Sequence, residues 1–233
     1  MPYALYIGNK NYSSWSLRPW VMLRACDIDF EERLIPFDDG DSYDKFRDFS
    51  PTGLVPCLID GDQQVWESLA IVEYIAEQHP EVWPESRAAR AWARSAAAEM
   101  HAGFGDLRND CPMTIGQRIR LHTVSAGLQK DLDRLDELWG QGLDRFGGPF
   151  LAGGQFTAVD AFFAPVAFRL NTFSRADGSA LASPAADRYR DHLLDLSAMR
   201  SWYSDGIAET FREPSHELEI AELGICTEDM RAG

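Results

Sequence analysis

Hydrophobic residues in the first 80 positions fall into short runs that predict alternating strands and helices. Short apolar runs bounded by polar loops are typical of strands, and apolar residues spaced three or four apart mark one face of a helix. A first helix is expected around Leu17, Trp20 and Val21. A second helix is expected over residues 69–78, and strands are expected at residues 3–7, 30–35, 57–60 and 64–66. The predicted order is β-α-β, a connecting loop, and then β-β-α.

The pattern changes after a linker that carries Pro80 and Pro84. Beyond it the apolar positions follow helical spacing. We therefore predict an α/β domain with the thioredoxin-like order of elements over residues 1–80 and an all-α domain over residues 86–213. The last segment, residues 214–233, is acidic and poorly periodic. Its pattern is compatible with a docked tail and with a partly disordered one.

The second domain contains a helix-start signal at Thr157 and Asp160. Thr157 precedes an apolar run, and an acid three residues later can accept a hydrogen bond from the backbone of the capping residue. This is a capping box with aspartate in place of the usual glutamate. We assign Asp160 to folding and not to chemistry.

Composition places the chain among ordinary soluble globular proteins. It has 233 residues, of which 45% are hydrophobic and 25% are charged, with a formal net charge of −15. An acidic protein is repelled by nucleic acids and by anionic membranes, so neither is an expected partner. No apolar run approaches the ~20 residues that a membrane helix needs. The chain has no basic leader before its first predicted strand, so a signal peptide is not expected.

The four cysteines, Cys26, Cys57, Cys111 and Cys226, are scattered without the spacing of a metal or redox motif. Free thiols of this kind fit a reducing compartment, so we expect a cytoplasmic protein with no bound metal.

A candidate binding site begins at Val55 and Pro56, where a proline opens a predicted strand. The residue before a proline is held extended, and its N–H and C=O remain free to pair with another strand or a peptide. Glu67 and Ser68 follow at the start of a predicted helix, where free N–H groups attract a carboxylate. The combination predicts a site for a small peptide. The alternative is an ordinary hairpin, with its turn at residues 60–61, that leads into a capped helix.

These residues resemble the glutathione-binding half of the glutathione transferases. The resemblance implies that the backbone of Val55, held by Pro56, pairs with the cysteinyl part of glutathione. It also implies that Glu67 and Ser68 hold the γ-glutamyl end. Glutathione would be the co-substrate, a small electrophile the second substrate, and a homodimer the expected assembly.

The loop after the first predicted strand carries the candidate chemistry. Its sequence Ser-Ser-Trp-Ser-Leu-Arg, residues 13–18, is similar to the zeta-class motif Ser-Ser-Cys-x-Trp-Arg. Counting back from Arg18 places Ser13 on the first serine of the motif. A hydroxyl that donates to the glutathione sulfur favours its thiolate, so we rank Ser13 first as this donor, Ser14 second and Tyr12 third. The serines could instead only cap the helix.

Two positions depart from the zeta-class motif. Trp15 stands where the motif has cysteine, and Leu17 stands where it has tryptophan. The missing cysteine weighs against maleylacetoacetate isomerase activity and against disulfide exchange through an active-site thiol.

The electrophile is expected between the two domains, because domain interfaces favour ligand clefts. A helix over residues 100–108 is a candidate wall. On it, Arg108 could bind an acidic substrate or form a surface salt bridge, and His101 is more typical of a structural histidine than of a base. Arg169 and Asn171 are further candidates for the same cleft. The substrate-binding candidates are completed by Tyr12 and Trp15.

The resemblance favours a glutathione S-transferase that takes part in detoxification. One alternative is a glutathione-dependent isomerase, similar to maleylacetoacetate isomerase, or a dehalogenase. Another is a non-catalytic glutathione-binding or regulatory protein of the same fold. The sequence does not identify the electrophile.

Overall fold

The first domain is built on a sheet of four strands in the order β2-β1-β3-β4. A computed structural model describes residues 3–37 and 42–232. Residues 1, 2, 38–41 and 233, which belong to the predicted segments 1–80 and 214–233, lie outside this description. The elements of the domain are β1 Tyr3–Ile7, α1 Ser14–Ala25, β2 Phe30–Leu34, α2 Tyr43–Arg47, β3 Cys57–Asp60, β4 Gln63–Trp66 and α3 Ser68–Ala76.

The sheet forms because its strands carry apolar residues that are buried beneath the helices. β1 pairs in parallel with β2 and antiparallel with β3, and β3 pairs antiparallel with β4. Leu5, Ile7 and Leu58 are fully buried and belong to the same core cluster as residues of α1 and α3. The thioredoxin-like fold class and the predicted order of the strands, α1 and α3 are confirmed, whereas the predicted connecting loop contains the short helix α2.

The second domain is helical, as predicted. A short 3-10 helix, Pro80–Val82, connects the domains. The helices are α4 Arg87–Ala102, α5 Gly105–Asp110, α6 Ala126–Phe146, α7 Ala158–Thr172, α8 Pro184–Leu194, α9 Ser197–Ala208 and α10 Pro214–Leu223. The central helix is α7, which is buried along nearly its whole length and packs against α1, α4 and α8. Its contact with α1 fixes the cleft between the domains.

The capping box at the start of α7 is present, and its aspartate accepts more hydrogen bonds than the sequence indicated. Thr157 N donates to Asp160 Oδ2 over 2.9 Å, and Tyr189 Oη donates to Asp160 Oδ1 over 2.7 Å. Leu151 N also donates to Asp160 Oδ1 over 3.0 Å. Burial raises the pKa of Asp160, and these hydrogen bonds oppose that rise. One buried carboxylate thus joins α7, α8 and the loop before α7.

The helical domain also carries a small sheet that the pattern analysis did not predict. Its strands are β5 Gln117–Leu121, β6 Phe173–Ser174 and β7 Gly224–Asp229, in the order β6-β5-β7. β7 pairs antiparallel with β5, so the final segment is docked on the domain. β5 alternates buried and more exposed residues, which is the period of a strand. That alternation is the sequence signal from which β5 could have been predicted.

The predicted single helix over residues 100–108 is wrong. α4 ends at Ala102 and α5 begins at Gly105, with Phe104 between them in the left-handed region at φ 56°. The chain turns here because Phe104 enters the core, where it is 5% exposed. This turn sets the position of Arg108 relative to the cleft.

Candidate active site

A cleft of about 520 Å³ lies between the two domains. Its first-domain wall is formed by the loop between β1 and α1 together with Val55. The opposite wall comes from the helical domain, through Arg108 on α5, Arg169 on α7 and His216 on α10. The cleft therefore contains the predicted candidates Tyr12, Ser13, Ser14, Trp15, Val55 and Arg108.

A second recess of about 320 Å³ lies beside it on the first domain. Pro56, Glu67 and Ser68 line this recess, and Trp15 and Val55 line both spaces. The two spaces therefore adjoin at Trp15 and Val55. The structure brings the predicted peptide-binding residues to one end and the predicted serines to the other.

The Val55–Pro56 peptide bond is cis and directly precedes β3. Among the backbone hydrogen bonds of the described residues, none uses the N–H or C=O of Val55. Strand pairing begins only at Cys57, which is opposite Trp66 in β4 and Tyr6 in β1. The backbone of Val55 is thus available to an extended ligand in the cleft, as the pre-proline position predicted.

Glu67 and Ser68 open α3 in an unusual conformation. Glu67 has φ 68° and ψ 125°, a region that costs free energy for a residue with a side chain and that is found mainly at functional sites. Ser68 is 1% exposed, and its buried hydroxyl has no hydrogen-bond partner. Leaving a buried hydroxyl unpaired costs about 1–3 kcal/mol. A ligand atom in the recess would satisfy both this hydroxyl and the free N–H groups at the start of the helix.

The two serines of the loop differ in their hydrogen bonds. Ser13, the residue before α1, donates to Ser16 Oγ over 2.7 Å, and Ser16 Oγ also accepts from Gly8 N over 3.3 Å. Ser14 Oγ instead accepts from Arg169 Nη2 over 3.3 Å. Both serines are 6% exposed and line the cleft.

Tyr12 contacts the C-terminal segment through both its hydroxyl and its ring. Its hydroxyl donates to Glu217 Oε1 over 2.6 Å, and its ring makes an edge contact with His216 at 5.0 Å. Burial, followed by the hydrogen bond to Glu217, raises the pKa of Tyr12 well above its ordinary value. A neutral tyrosine whose hydroxyl already donates to Glu217 is a poor candidate for donating to a thiolate.

Trp15 separates the cleft from a layer of charged residues behind it. The guanidinium of Arg18 lies 4.0 Å from the centroid of the Trp15 ring, and His101 makes an edge contact with the same ring at 5.3 Å. His101 lines neither space, and its Nε2 lies 3.8 Å from Glu67 Oε2. Burial, with a further contribution from Arg18, lowers the pKa of His101. His101 therefore lies behind Trp15 near Glu67 and is not placed to bind the electrophile directly.

Of the other candidates, Arg108 and Arg169 enter the cleft and Asn171 does not. Asn171 lines a separate depression with Arg118 and Tyr203, so its predicted place is wrong. Residues 169 and 171 are two apart on α7, and two residues along a helix correspond to more than half a turn.

The helix α10 contributes to the cleft, which the sequence pattern did not predict. Glu213, His216 and Glu219 line the cleft, as do Met113 and Phe37. His216 Nε2 is 3.1 Å from the carbonyl oxygen of Met113, which anchors the helix over the opening. The poor periodicity of this segment concealed it, since a helix that packs across two domains does not bury a single regular face.

The cysteines take no part in the site. None of the four lines either space. Burial raises the pKa of Cys57 to about 11 and that of Cys111 to about 12, so both thiols stay protonated at neutral pH. The described residues contain no cluster of three or more histidine, cysteine or acidic side chains that could hold a metal ion. Within the same residues, no helix has the length and apolar character to cross a membrane.

Two family models match the chain. Residues 12–78 match the glutathione S-transferase N-terminal domain, and residues 117–198 match the glutathione S-transferase C-terminal domain. The first range contains both serines and the residues of the recess, so the matched region coincides with the geometry described above.

Individual relatives give the same result. The chain is 26% identical over 216 residues to a probable maleylacetoacetate isomerase of Caenorhabditis elegans, covering 89% of this chain and 95% of that protein. It is 27% identical over 168 residues to glutathione S-transferase Z1 of Arabidopsis thaliana, covering 67% and 74%. A glutathione transferase homolog from Burkholderia, crystallised with bound glutathione, superposes with a TM-score of 0.65 at 23% identity, covering 88% of this chain and 98% of the other. This last likeness concerns the fold.

Proposed function

The chain belongs to the glutathione S-transferase family, and on this basis we propose that it binds glutathione and directs its thiolate onto an electrophilic substrate. Glutathione lies along the first domain, with its γ-glutamyl end in the recess at Ser68 and its cysteinyl part beside Val55. The electrophile enters from the helical side of the cleft.

The proposal rests on polar groups of the site that have no hydrogen-bond partner within the protein. The hydroxyl of Ser68 is buried without a partner, and the backbone of Val55 is unpaired in the adjoining space. A γ-glutamyl group supplies the charged acceptor that the hydroxyl lacks. A peptide group supplies the donor and acceptor that an extended backbone pairs with.

Thiol activation is assigned to Ser13. A free thiol titrates near ~8.5, so only a small fraction is ionised at neutral pH. Ser13 lies at the N-terminus of α1, where the helix dipole and free N–H groups favour an anion. Ser16 Oγ can donate back across the 2.7 Å contact, which releases the Ser13 proton for the sulfur. Ser14 remains the second candidate.

In the transfer step the thiolate sulfur forms a bond to an electrophilic carbon. The electron pair of the broken bond leaves with the departing group, or moves onto the acceptor atom where the reaction is an addition. The thiol proton passes to solvent. The contribution of the protein is binding, orientation and a lowered thiol pKa.

Calorimetry with glutathione tests the proposal. The wild-type protein is expected to bind glutathione, and Ser68→Ala is expected to weaken binding by about 1–3 kcal/mol through loss of one bond to a charged group. Because the Ser68 hydroxyl has no partner in the free protein, the same variant is expected to keep its thermal stability.

Ser95→Ala is the matched control for this experiment. Ser95 is an exposed serine on α4 that donates only to the carbonyl of Ala91, outside the cleft. It is expected to bind glutathione as the wild type does. Absence of glutathione binding by the wild-type protein would reject the proposed function.

A glutathione-dependent isomerase is the second candidate, favoured by the relative named as a probable maleylacetoacetate isomerase. Against it, Trp15 fills the place of the motif's cysteine and forms part of the cleft wall. Assays with halogenated electrophiles and with a cis-trans isomerisable substrate distinguish transferase, dehalogenase and isomerase. Binding of glutathione with no turnover of any substrate would favour a regulatory protein.

The family further suggests a cytoplasmic homodimer that serves detoxification, with no nucleic acid or membrane partner. The free cysteines support the cytoplasmic location, and the net charge of −15 supports the expectation of no nucleic acid or anionic membrane partner. Sedimentation at several concentrations tests the assembly state.

A further inference from the structure

Three arginines converge behind and beside Trp15. Arg18 lies 4.0 Å from the Trp15 ring centroid on one side, and Arg108 lies 5.6 Å from the same centroid. Arg169 joins the group through its hydrogen bond to Ser14. We refer to Arg18, Arg108 and Arg169 as the arginine cluster. Its members repel one another, since Arg108 and Arg169 both lower the pKa of Arg18 after the larger effect of burial.

The cluster lacks a bound counter-charge. Among the described residues, none of its members has a carboxylate within 4.0 Å, although the chain carries 37 acidic residues and a net charge of −15. Arg108 donates to the carbonyls of Met100 and Gly103, and Arg169 donates to the carbonyl of Cys111. These acceptors are all neutral.

Several buried N–H groups of the cluster have no acceptor at all. Arg18 Nε and Nη1 and Arg169 Nε are buried without a partner, while Arg18 is 1% exposed and Arg169 is 4% exposed. A buried charge with unpaired N–H groups is strongly unfavourable unless an anion completes it. Arg108 and Arg169 line the cleft, so an anion can reach them from the substrate side, whereas Arg18 lines neither space and can act on that anion only through its charge.

Nearby acids do not form ion pairs with the cluster. Each arginine feels the charge of one acid at longer range: Arg18 that of Glu67, Arg108 that of Asp131 and Arg169 that of Glu219. Asp131 accepts a hydrogen bond from the backbone of Leu107, and Glu67 and Glu219 each lie 3.8 Å from a histidine. Among the described residues, no carboxylate therefore forms an ion pair with the cluster, and a ligand could supply one.

We propose that Arg108 and Arg169 of the arginine cluster bind a carboxylate carried by the electrophile, so that the substrate is an organic acid and not a neutral apolar compound. The inference rests on the proposed function, because it places the acid beside a glutathione bound at Ser13. Trp15 adds a flat apolar surface between the thiol and the cluster, which suits an aromatic or unsaturated body between the reacting carbon and the carboxylate.

Two glutathione adducts test the proposal without a chemical step. S-(4-carboxybenzyl)glutathione and S-(4-carbamoylbenzyl)glutathione have nearly the same shape and differ in charge. Calorimetry on the wild-type protein is expected to show the acid binding roughly 10- to 100-fold more tightly than the amide, since hydrogen bonds to a charged group contribute that much. Equal binding of the two adducts would overturn the proposal.

Variants locate the effect on the cluster. Arg108→Gln is expected to bring the ratio of the two affinities close to one, and Arg108→Lys to leave an intermediate ratio. Arg145→Gln removes the same charge from an exposed position on α6, outside the cleft, and is expected to keep the wild-type ratio. The wild-type comparison stands even where a variant does not fold.

The three possible failures are distinguishable. If the wild type binds neither adduct nor glutathione, the proposed function is wrong. If glutathione binds but Arg108→Gln retains the preference for the acid, the anion lies elsewhere. If Arg108→Gln weakens glutathione itself and leaves the ratio unchanged, the cluster serves glutathione, and the carboxylate assignment is overturned.

Discussion

Neighbouring serines in the active-site loop receive different roles from their surroundings. The hydroxyl of Ser13 is bonded to another serine, Ser16, whereas that of Ser14 accepts from the buried guanidinium of Arg169. Either hydroxyl can present a proton to the sulfur after a rotation. What separates them is position, because Ser13 precedes the first turn of α1 and Ser14 is its first residue.

Ser13→Ala is expected to raise the pKa of bound glutathione by about one to two units, the equivalent of one lost charge-assisted hydrogen bond. Ser14→Ala is expected to have a smaller effect. Tyr12→Phe is expected to have the smallest, because the tyrosine proton is already held by Glu217. The measurement is the ultraviolet absorbance of the thiolate in the glutathione complex, titrated against pH. If Ser14→Ala shifts the pKa of glutathione more than Ser13→Ala does, the thiolate donor is Ser14. If no variant shifts that pKa, the N-terminus of α1 activates the thiol and neither serine does.

At the scale of the element, α7 is the buried helix that joins the two domains. It carries Asp160 at its start, where the carboxylate accepts from Leu151, Thr157 and Tyr189, and Arg169 near its end, where the guanidinium reaches the cleft. Asp160, which stabilises the fold, and Arg169, which lines the cleft, therefore lie on the same helix. A change at the start of α7 acts on the whole domain, since three segments depend on the same carboxylate.

Asp160→Ala is expected to lower the free energy of unfolding by about 3–5 kcal/mol, because it leaves several buried donors unpaired. The matched control is Ser125→Ala at the start of α6. Ser125 accepts from Leu128 N over 2.9 Å at an exposed position, so its loss is expected to cost about 1 kcal/mol. Urea unfolding monitored by tryptophan fluorescence measures both. Equal costs for the two variants would contradict the assigned role of Asp160.

At the scale of the whole molecule, the C-terminal segment returns to the first domain and closes one side of the cleft. Tyr12 donates to Glu217, and Arg231 pairs with Glu217 over 2.5 Å and with Asp229 over 2.7 Å. We call Tyr12, Glu217 and Arg231 the tail clasp. It links residues more than 200 positions apart, so its formation depends on the docking of both domains.

Tyr12→Phe is expected to destabilise the protein by about 1.5–3 kcal/mol through loss of a partly buried bond to a carboxylate. Tyr74→Phe removes a similar but more exposed bond to Asp60 within the first domain and is expected to cost less than about 1 kcal/mol. A double-mutant cycle of Tyr12→Phe with Glu217→Ala is expected to show coupling. Additive costs would mean that the tail clasp does not hold in solution.

The tail clasp also predicts a pH dependence. Burial raises the pKa of Glu217, but hydrogen bonds from Arg231 and Tyr12 outweigh it, so the pKa lies below its ordinary value of 4.5. An acid with a lowered folded-state pKa stabilises the protein fully above the unfolded-state value, and this stabilisation is lost as pH falls through the folded-state value. The Tyr12–Glu217 coupling is therefore expected to be present at pH 7 and to disappear in acid. A coupling that is already lost above pH 4.5, where Glu217 is still ionised in the folded protein, would contradict this.

The sequence by itself determined the elements of the first domain and the residues of its recess. Those features are local: a proline sets the backbone of Val55, and a helix start follows Glu67 within a few residues. Hydrophobic period and capping signals likewise act over short distances, which is why α7 and its capping box were predictable from Thr157 and Asp160. The loop of Ser13 and Ser14 was recognisable for the same reason.

Only the tertiary structure decided which distant groups meet at the site. Arg18, Arg108 and Arg169 come from three separate helices, and their convergence on Trp15 has no trace in local spacing. The docking of the final strand on β5 likewise depends on a partner about a hundred residues away. Local patterns report each segment's own burial, whereas charge clustering and long-range pairing depend on how whole elements pack.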